Sequence, residues 1–423
     1  MAETLLERRF RLLGPNVPLF YDEPLHLVKG EGVWLYDKAG KKYLDCYNNV
    51  PHVGHCHPVV VDAIARQAAT LNTHTRYLHD GILEYGERLT ATFDASLSSI
   101  IMVCTGSEAN DIALRMSEAA TGKRGIIVTD HTYHGNTASV AALSSTNKAS
   151  TSQSHNIRFV PAPDSYRPAS RHAGLDFARH VENAIDELEA LGIGFAALLL
   201  CPYFANEGFP DLPEKWLDPT IKSVKQAGGL IIADEVQPGF GRIGSHMWGH
   251  QYQGFTPDIV TLGKPMANGH PVAAVVTTHE IITAFRTSFR YFNTFGGNPV
   301  SAAAANAVLD VIQEENLLKN AADVGAYAKG SLLQLAKKHF VIGNVRGRGL
   351  FFGAELVHGK HCKTPAADLT HEVVNLMRQN GVLINKNGIY GNTTKIRPPM
   401  PFSRENADHF LSVLDHALSI LGR

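Results

Sequence analysis

Residues 230–244 read LIIADEVQPGFGRIG, and this stretch decides the fold. Apolar residues run without alternation from Leu230 to Ala233 and end on two acids, Asp234 and Glu235. A short unbroken apolar run is what a strand buried on both faces requires, as in a parallel sheet covered by helices. Ligands of open α/β sheets bind beyond the carboxyl ends of the strands, so Asp234 is placed to face one. An acid that merely ends a strand is the plain alternative, and for Asp234 standing alone it would be preferred. Gly239, Gly241 and Gly244 also spell GxGxxG. Pro238 precedes the first of these glycines, and the following SHMWGHQYQG does not open a long helix, so we read a loop beside the site rather than a dinucleotide fingerprint.

Working outward, similar apolar runs occur at residues 100–103, 126–129, 196–200, 259–262 and 272–277, with helical patterns at 108–120, 175–191 and 214–226. This alternation implies right-handed βαβ units, hence an α/β fold whose mainly parallel sheet is flanked by helices. After about residue 310 the texture changes. A helix over 298–314 leads out of the sheet domain, followed by strand candidates around 343–356, 382–385 and 394–397 and a closing helix over 404–421. The first 45 residues read as extended, with hairpin texture over 30–48. The expected organisation is an N-terminal segment (1–45) packed on a small α+β domain (311–423), with a large ligand-binding domain (46–310) between them.

Bulk properties narrow the function. The 423 residues carry a formal net charge of −1, which lacks the Lys/Arg excess that a nucleic-acid binder needs. No run of 18 apolar residues appears, so no membrane-spanning helix is expected. The opening MAETLLERRFRLL mixes acids and bases and does not read as a signal peptide. Five cysteines, an odd number without a CxxC, fit reduced thiols and a cytoplasmic location.

Four further segments carry chemistry. In DIVTLGKPMANGHPVAAV (258–275), Lys264 follows an apolar strand at the same sheet end as Asp234. A lysine so placed loses basicity by desolvation and becomes a nucleophile. In VCTGSEANDIALRM (103–116), a strand turns through Thr105, Gly106 and Ser107 into a helix, whose first N–H groups suit an anion; simple N-capping explains the same residues. In DHTYHGNT (130–137), Tyr133 could stack on a heterocycle. In YFNTFGGNPVSAA (291–303), Thr294 is another candidate phosphate donor.

Asp234-Glu235-Val236-Gln237, Lys264, Gly106-Ser107-Glu108-Ala109, Tyr133-His134-Gly135 and Thr294-Phe295-Gly296-Gly297-Asn298-Pro299 together resemble the class-III aminotransferases of pyridoxal phosphate (PLP) fold type I, in order and spacing along nearly the whole chain. The resemblance implies a seven-stranded-type sheet and PLP held as a Schiff base by Lys264. It implies that Asp234 pairs with the pyridine nitrogen, that Val236 and Tyr133 flank the ring and that Gln237 approaches its hydroxyl. Gly106 and Ser107, beside Thr105, would take the phosphate. It further implies a homodimer in which Thr294 reaches the neighbouring subunit's phosphate.

The family's usual carboxylate switch is altered. Cys201-Pro202-Tyr203-Phe204-Ala205-Asn206-Glu207 stands where a Glu-Pro-x-Gln segment precedes the switch Glu, so that Asn206, or Glu207 after a one-residue shift, takes its place. Lys395 aligns with the late family Arg, and Arg397 follows. NNVPHVGHCHP (48–58), LNTHTRYLHD (71–80), DSYR (164–167) and KIRPPMPFS (395–403) resemble the ethanolamine-phosphate and phosphohydroxylysine phospho-lyases within this family. This implies elimination of phosphate from a small phosphoamine, with Asn49, Arg76, Lys395 and Arg397 as substrate contacts. An ω-amine or amino-acid transaminase needing an oxo acid is the alternative. His52, His55, Cys56 and His57 lack zinc-finger spacing, and no metal is expected.

Overall fold

A computed structural model describes residues 3–15, 17–146 and 155–422. Among them, seven strands form the central sheet, in the spatial order Ser99–Val103, Ala273–Thr277, Ile259–Leu262, Leu230–Asp234, Phe195–Leu200, Gly125–Thr129, Ile157–Val160. Ala273–Thr277 is antiparallel to both neighbours, and the other pairs are parallel. Strand residues alternate between two helical layers. Ile126 and Val128 join the apolar cluster of helix Gly106–Thr121, whereas Ile127 joins that of helix Ala173–Ala190. Covered on both faces, Gly125–Thr129, Phe195–Leu200 and Ile259–Leu262 are buried at every position, which is why they are apolar apart from Thr129 and Thr261, whose hydroxyls are hydrogen-bonded.

Two four-stranded sheets complete the fold among the described residues. Leu27–Glu31, Trp34–Asp37 and Lys42–Asp45 form an antiparallel meander, and Val382–Leu383 adds to it in parallel. Thus the N-terminal strands pair with a strand from the far end of the chain. The second sheet runs Ile342–Arg348, Phe351–Leu356, Thr393–Lys395, Asn385–Asn387.

Several details differ from expectation. Leu5–Leu13 is a helix, started by a capping box between Thr4 and Glu7, not extended chain. Residues 343–356 are not one strand but a hairpin turning at Gly349, where φ is +52° and a Cβ would stand 2.4 Å from the Ile243 backbone, so that a side chain is excluded. The helix expected from 214 begins at Asp218, with a proline in its first turn. The edge strand Ile157–Val160 was not anticipated, because it is short and interrupted by Arg158. Neither were helices Pro58–Thr70, Asp80–Thr90, His279–Ser288, Leu317–Lys338 and Ala367–Gln379.

Candidate active site

The parallel register sets Asp234 opposite Thr261, three residues before Lys264. Both side chains line one cleft of about 320 Å³ at the carboxyl end of the sheet. Asp234 is buried, and both its oxygens accept hydrogen bonds from the protein. Oδ1 accepts the Val236 N–H (3.0 Å), and Oδ2 accepts His134 Nδ1 (2.7 Å) and Asn110 Nδ2 (3.1 Å). Asn110 is itself fixed, accepting from Thr261 Oγ1 (2.7 Å) and donating to the His134 carbonyl (2.7 Å). Burial works to raise the Asp234 pKa, but the His134 hydrogen bond and charge, the Val236 N–H and the Lys264 charge together hold it below the ordinary aspartate value. A charged carboxylate is thereby kept at the floor of the cleft.

Lys264 opens the short turn Lys264–Ala267 with φ at +24°, a strained conformation for a residue with a side chain, of the kind that clusters at functional sites. Lys264 is exposed by surface area and lines the cleft, with protein packed closely around it. Desolvation first, and the charge of Arg397 second, lower its pKa to about 8 against the opposing pull of Asp234.

The strand Ser99–Val103 leads to helix Gly106–Thr121, whose start also lines the cleft. Thr105 is the N-cap: its hydroxyl accepts the Glu108 N–H (3.2 Å), while the Glu108 carboxylate accepts the N–H groups of Cys104 (2.7 Å) and Thr105 (3.0 Å). This leaves the N–H groups of Gly106 and Ser107, which have no partner within the helix, for an anion. A Cβ on Gly106 would stand 3.1 Å from Val236, so glycine brings this helix end against the Asp234 strand. Tyr133, Val236 and Gln237 line the same cleft.

Lys395 and Arg397, only 4% and 5% exposed, do not line the cleft themselves but stand behind Gln237, which does. Gln237 Oε1 accepts from Lys395 Nζ (3.0 Å) and from Arg397 Nη1. Gln237 Nε2 donates to Asn206 Oδ1 (3.0 Å), and Asn206 Nδ2 donates to the Tyr133 carbonyl (3.2 Å). Asn206 therefore lines the cleft, whereas Glu207 turns into the interior and accepts from Thr129 Oγ1 (2.6 Å). Desolvation pushes the pKa of Lys395 well below the usual lysine value, and the charges of Arg397 and Lys264 push it further.

Three further expected contacts also lie outside the cleft lining. Arg76 does not line the cleft; its guanidinium sits 3.9 Å over the Phe292 ring. Thr294 is exposed outside the cleft, beside Phe295, which is 71% exposed. Asn49 is buried and lies outside the cleft lining, although its neighbour Val50 belongs to it. The histidines of 52–57 take different partners: His52 the Phe240 carbonyl, His55 Asp45, His57 Glu315. Glu235, beside Asp234, is spent on the N–H groups of Gly249 and His250.

Sequence reasoning missed His134 and Asn110 as partners of Asp234. His134 follows the singled-out Tyr133, and that adjacency was the available signal. Asn110 looked like an ordinary helix residue.

The class-III aminotransferase family model matches residues 20–418. A Drosophila melanogaster protein named alanine–glyoxylate aminotransferase 2-like is 42% identical over 96% of this chain and 85% of its own. A Caenorhabditis elegans ethanolamine-phosphate phospho-lyase homologue is 36% identical over 100% of this chain and 94% of its own. Among solved structures, a phospholyase from Arthrobacter in complex with phosphoethanolamine superposes with a TM-score of 0.95 at 44% identity, covering 98% of this chain and 99% of that one.

Proposed function

The chain belongs to the class-III aminotransferases, a family dependent on pyridoxal 5′-phosphate, and from that premise we propose that it is a phospho-lyase that eliminates phosphate from a small phosphoamine such as O-phosphoethanolamine. The donor set fits the cofactor. Asp234 offers an ionised carboxylate for a protonated ring nitrogen, Gly106 and Ser107 offer N–H groups for its phosphate, and Lys264 offers a low-pKa amine for its aldehyde. The exposed loop carrying Thr294 is read as meeting a second copy of the chain, whose cofactor phosphate it would reach.

One observation carries the substrate reading. Lys395 and Arg397 converge, buried, on a neutral amide oxygen, and the residue at the switch position is Asn206 rather than an acid. Two cations without a carboxylate suit a doubly charged phosphate. The Arthrobacter phospholyase and the C. elegans homologue support the same reading.

When bound, the cofactor supplies the electron sink that lets a proton leave the carbon next to nitrogen. Asp234 keeps the proton on the ring nitrogen. Lys264, as a free amine, takes the proton from the nitrogen-bearing carbon. Lys395 and Arg397 hold the phosphate, which departs with the electron pair of its C–O bond. Water completes the reaction, giving aldehyde, ammonia and phosphate.

Incubation with O-phosphoethanolamine and no oxo acid tests this. Equal release of phosphate and ammonia, abolished in Lys264→Ala, is the expected result. If neither is released and an added oxo acid instead turns the enzyme over with an amine donor, the chain is a transaminase, the activity named for its Drosophila relative.

A further inference from the structure

We propose that His270 is a charge-switching contact of the cofactor's phosphate: its ring is neutral in the empty cleft and takes up a proton when the dianion settles at the start of helix Gly106–Thr121. This rests on the family's cofactor alone and holds equally for a lyase or a transaminase.

The sheet register puts His270 at that end of the cleft. Ala273 pairs with Val103 in antiparallel strands, so the residues just before Ala273 run alongside those just after Val103. Residues 104–107 and 269–272 all line the cleft. A dianion there meets the N–H groups of Gly106 and Ser107 but no fixed cation. Among the described residues of the lining, Lys264 is the sole lysine or arginine, and the cofactor's aldehyde takes it. Two lining histidines remain that can become cations. His134 is committed to Asp234 (2.7 Å), whereas His270 has no acid as partner.

The surroundings of His270 accommodate either proton state. Its Nε2 lies 3.0 Å from Ser301 Oγ, and no described residue hydrogen-bonds its Nδ1. Ser301 is fully buried, and its oxygen accepts from Asn298 Nδ2 (2.9 Å). The hydroxyl proton has two acceptors within reach, His270 Nε2 and the Pro271 carbonyl (3.4 Å). With the ring neutral, the hydroxyl donates to Nε2, the nearer of the two. With the ring charged, Nε2–H donates to Ser301 Oγ and the hydroxyl turns to Pro271. Neither state strands a buried polar group, and in both Nδ1 carries a hydrogen for an anion.

Without an anion, burial alone lowers the His270 pKa below the ordinary histidine value. The other titratable side chains lining the cleft, Asp234, Lys264, His134, Tyr133, Cys104 and Cys201, add nothing to that shift. Glu108, in the first turn of the facing helix, spends its carboxylate on the N–H groups of Cys104 and Thr105. Helix Pro299–Glu314 meets His270 with the uncharged Ser301, and Val50 borders the cleft beside Gly269. A dianion in contact favours the charged ring and raises its pKa. The added affinity is therefore complete below the free value and is lost as pH rises through the bound value.

The test compares cofactor loss from the wild-type and His270→Gln holoenzymes, followed by absorbance across the neutral pH range. Glutamine keeps a polar atom for Ser301 but cannot be protonated, so it rescues a merely structural role and not this one. His270→Gln should lose the cofactor roughly tenfold faster on the acid side of neutrality, and the gap should close as pH rises. His270→Asn repeats the comparison should the first variant fail to load. Nitrogen NMR of the wild-type ring, identified by its absence from the variants, should show a charged His270 in the holoenzyme and a neutral one after the cofactor is removed. Equal rates of loss in wild type and variant, a gap that does not change with pH, or a ring that stays neutral in the holoenzyme would each overturn the proposal. So would a ring that becomes charged only when inorganic phosphate is added to the holoenzyme, since the contact would then belong to another anion. None of these readouts depends on phosphate release from O-phosphoethanolamine, which tests the lyase reading separately.

Discussion

At the scale of single residues, the chemistry turns on two depressed pKa values with different causes. Lys264 is lowered to about 8 by desolvation and by Arg397, so a step needing its neutral amine accelerates as pH rises through about 8. Arg397→Met removes a cation and so shifts that limb to higher pH; a kcat profile whose limb stays put or moves down contradicts the assignment. Asp234 is kept ionised chiefly by His134. Truncation in His134→Ala removes a hydrogen bond to a charged group, worth about 1.5–3 kcal/mol, so cofactor affinity should fall roughly ten- to a hundredfold, measured by dialysis and re-titration. The positions of Asp234 and Lys264 were legible because each ends or follows an apolar run that could only be a buried strand. Asn110 and His134 were not, because their bonds to Asp234 span 124 and 100 residues of sequence, and neither residue type announces such a partner. Glu207 was undecidable from spacing alone; what removes it from the cleft is the Thr129 hydroxyl on a neighbouring strand.

At the scale of elements, the site depends on how closely the loop after Gly125–Thr129 approaches the start of helix Gly106–Thr121. Gly135 has φ +146°, and a Cβ there would lie 2.6 Å from Ser107 Oγ. Gly135→Ala should therefore push Ser107 away from the anion position and strain the backbone by about 1–3 kcal/mol. The expected outcome is a lower unfolding midpoint together with faster cofactor loss; an unchanged cofactor dissociation rate would show that this contact does not matter. The central strands were readable because burial on both faces leaves a one-letter pattern. The hairpin at Gly349 was not, since its two arms, IGNVRGR and FFGAEL, read as one glycine-rich run until the close approach of Ile243 reveals a turn.

At the scale of the molecule, buried polar locks join the central sheet region to the second small sheet. Glu355, 1% exposed, pairs with Arg346 and, at 2.5 Å, with Arg167 of the loop 164–167; Asn392 Nδ2 adds a bond of 3.1 Å. Removing one partner strands buried charge, so Glu355→Ala should destabilise the fold by about 3–5 kcal/mol in chemical unfolding. A loss below about 1 kcal/mol would mean that Arg167 and Arg346 find other partners. A second lock is Arg242, fully buried, which donates to the carbonyls of Leu350 and Pro398 and contacts His52 Nδ1 (3.2 Å). Burial first, then the charge of Arg242, hold the His52 pKa well below 6.5. A histidine depressed in the folded state takes up its proton on unfolding. Its contribution is therefore intact above the unfolded value of about 6.5 and is lost as pH falls below it. In His52→Gln the acid-side decline of the unfolding midpoint should be shallower than in the wild type. The antiparallel pairing of Trp34–Asp37 with Lys42–Asp45 agrees with the hairpin texture read over residues 30–48; that Val382–Leu383 would join this meander lay beyond any local pattern.

The backbone of the cation wall is fastened to the beginning of the chain: the Arg397 N–H donates to the Cys46 carbonyl and the Met400 N–H to that of His52, each at 2.7 Å. During synthesis, the segments bearing Gly106, Asp234 and Lys264 leave the ribosome long before residue 395 is made. A nascent chain can thus assemble the floor of the cleft early, but residues 397–400 are fastened to residues 46–52 only once the end of the chain has been made.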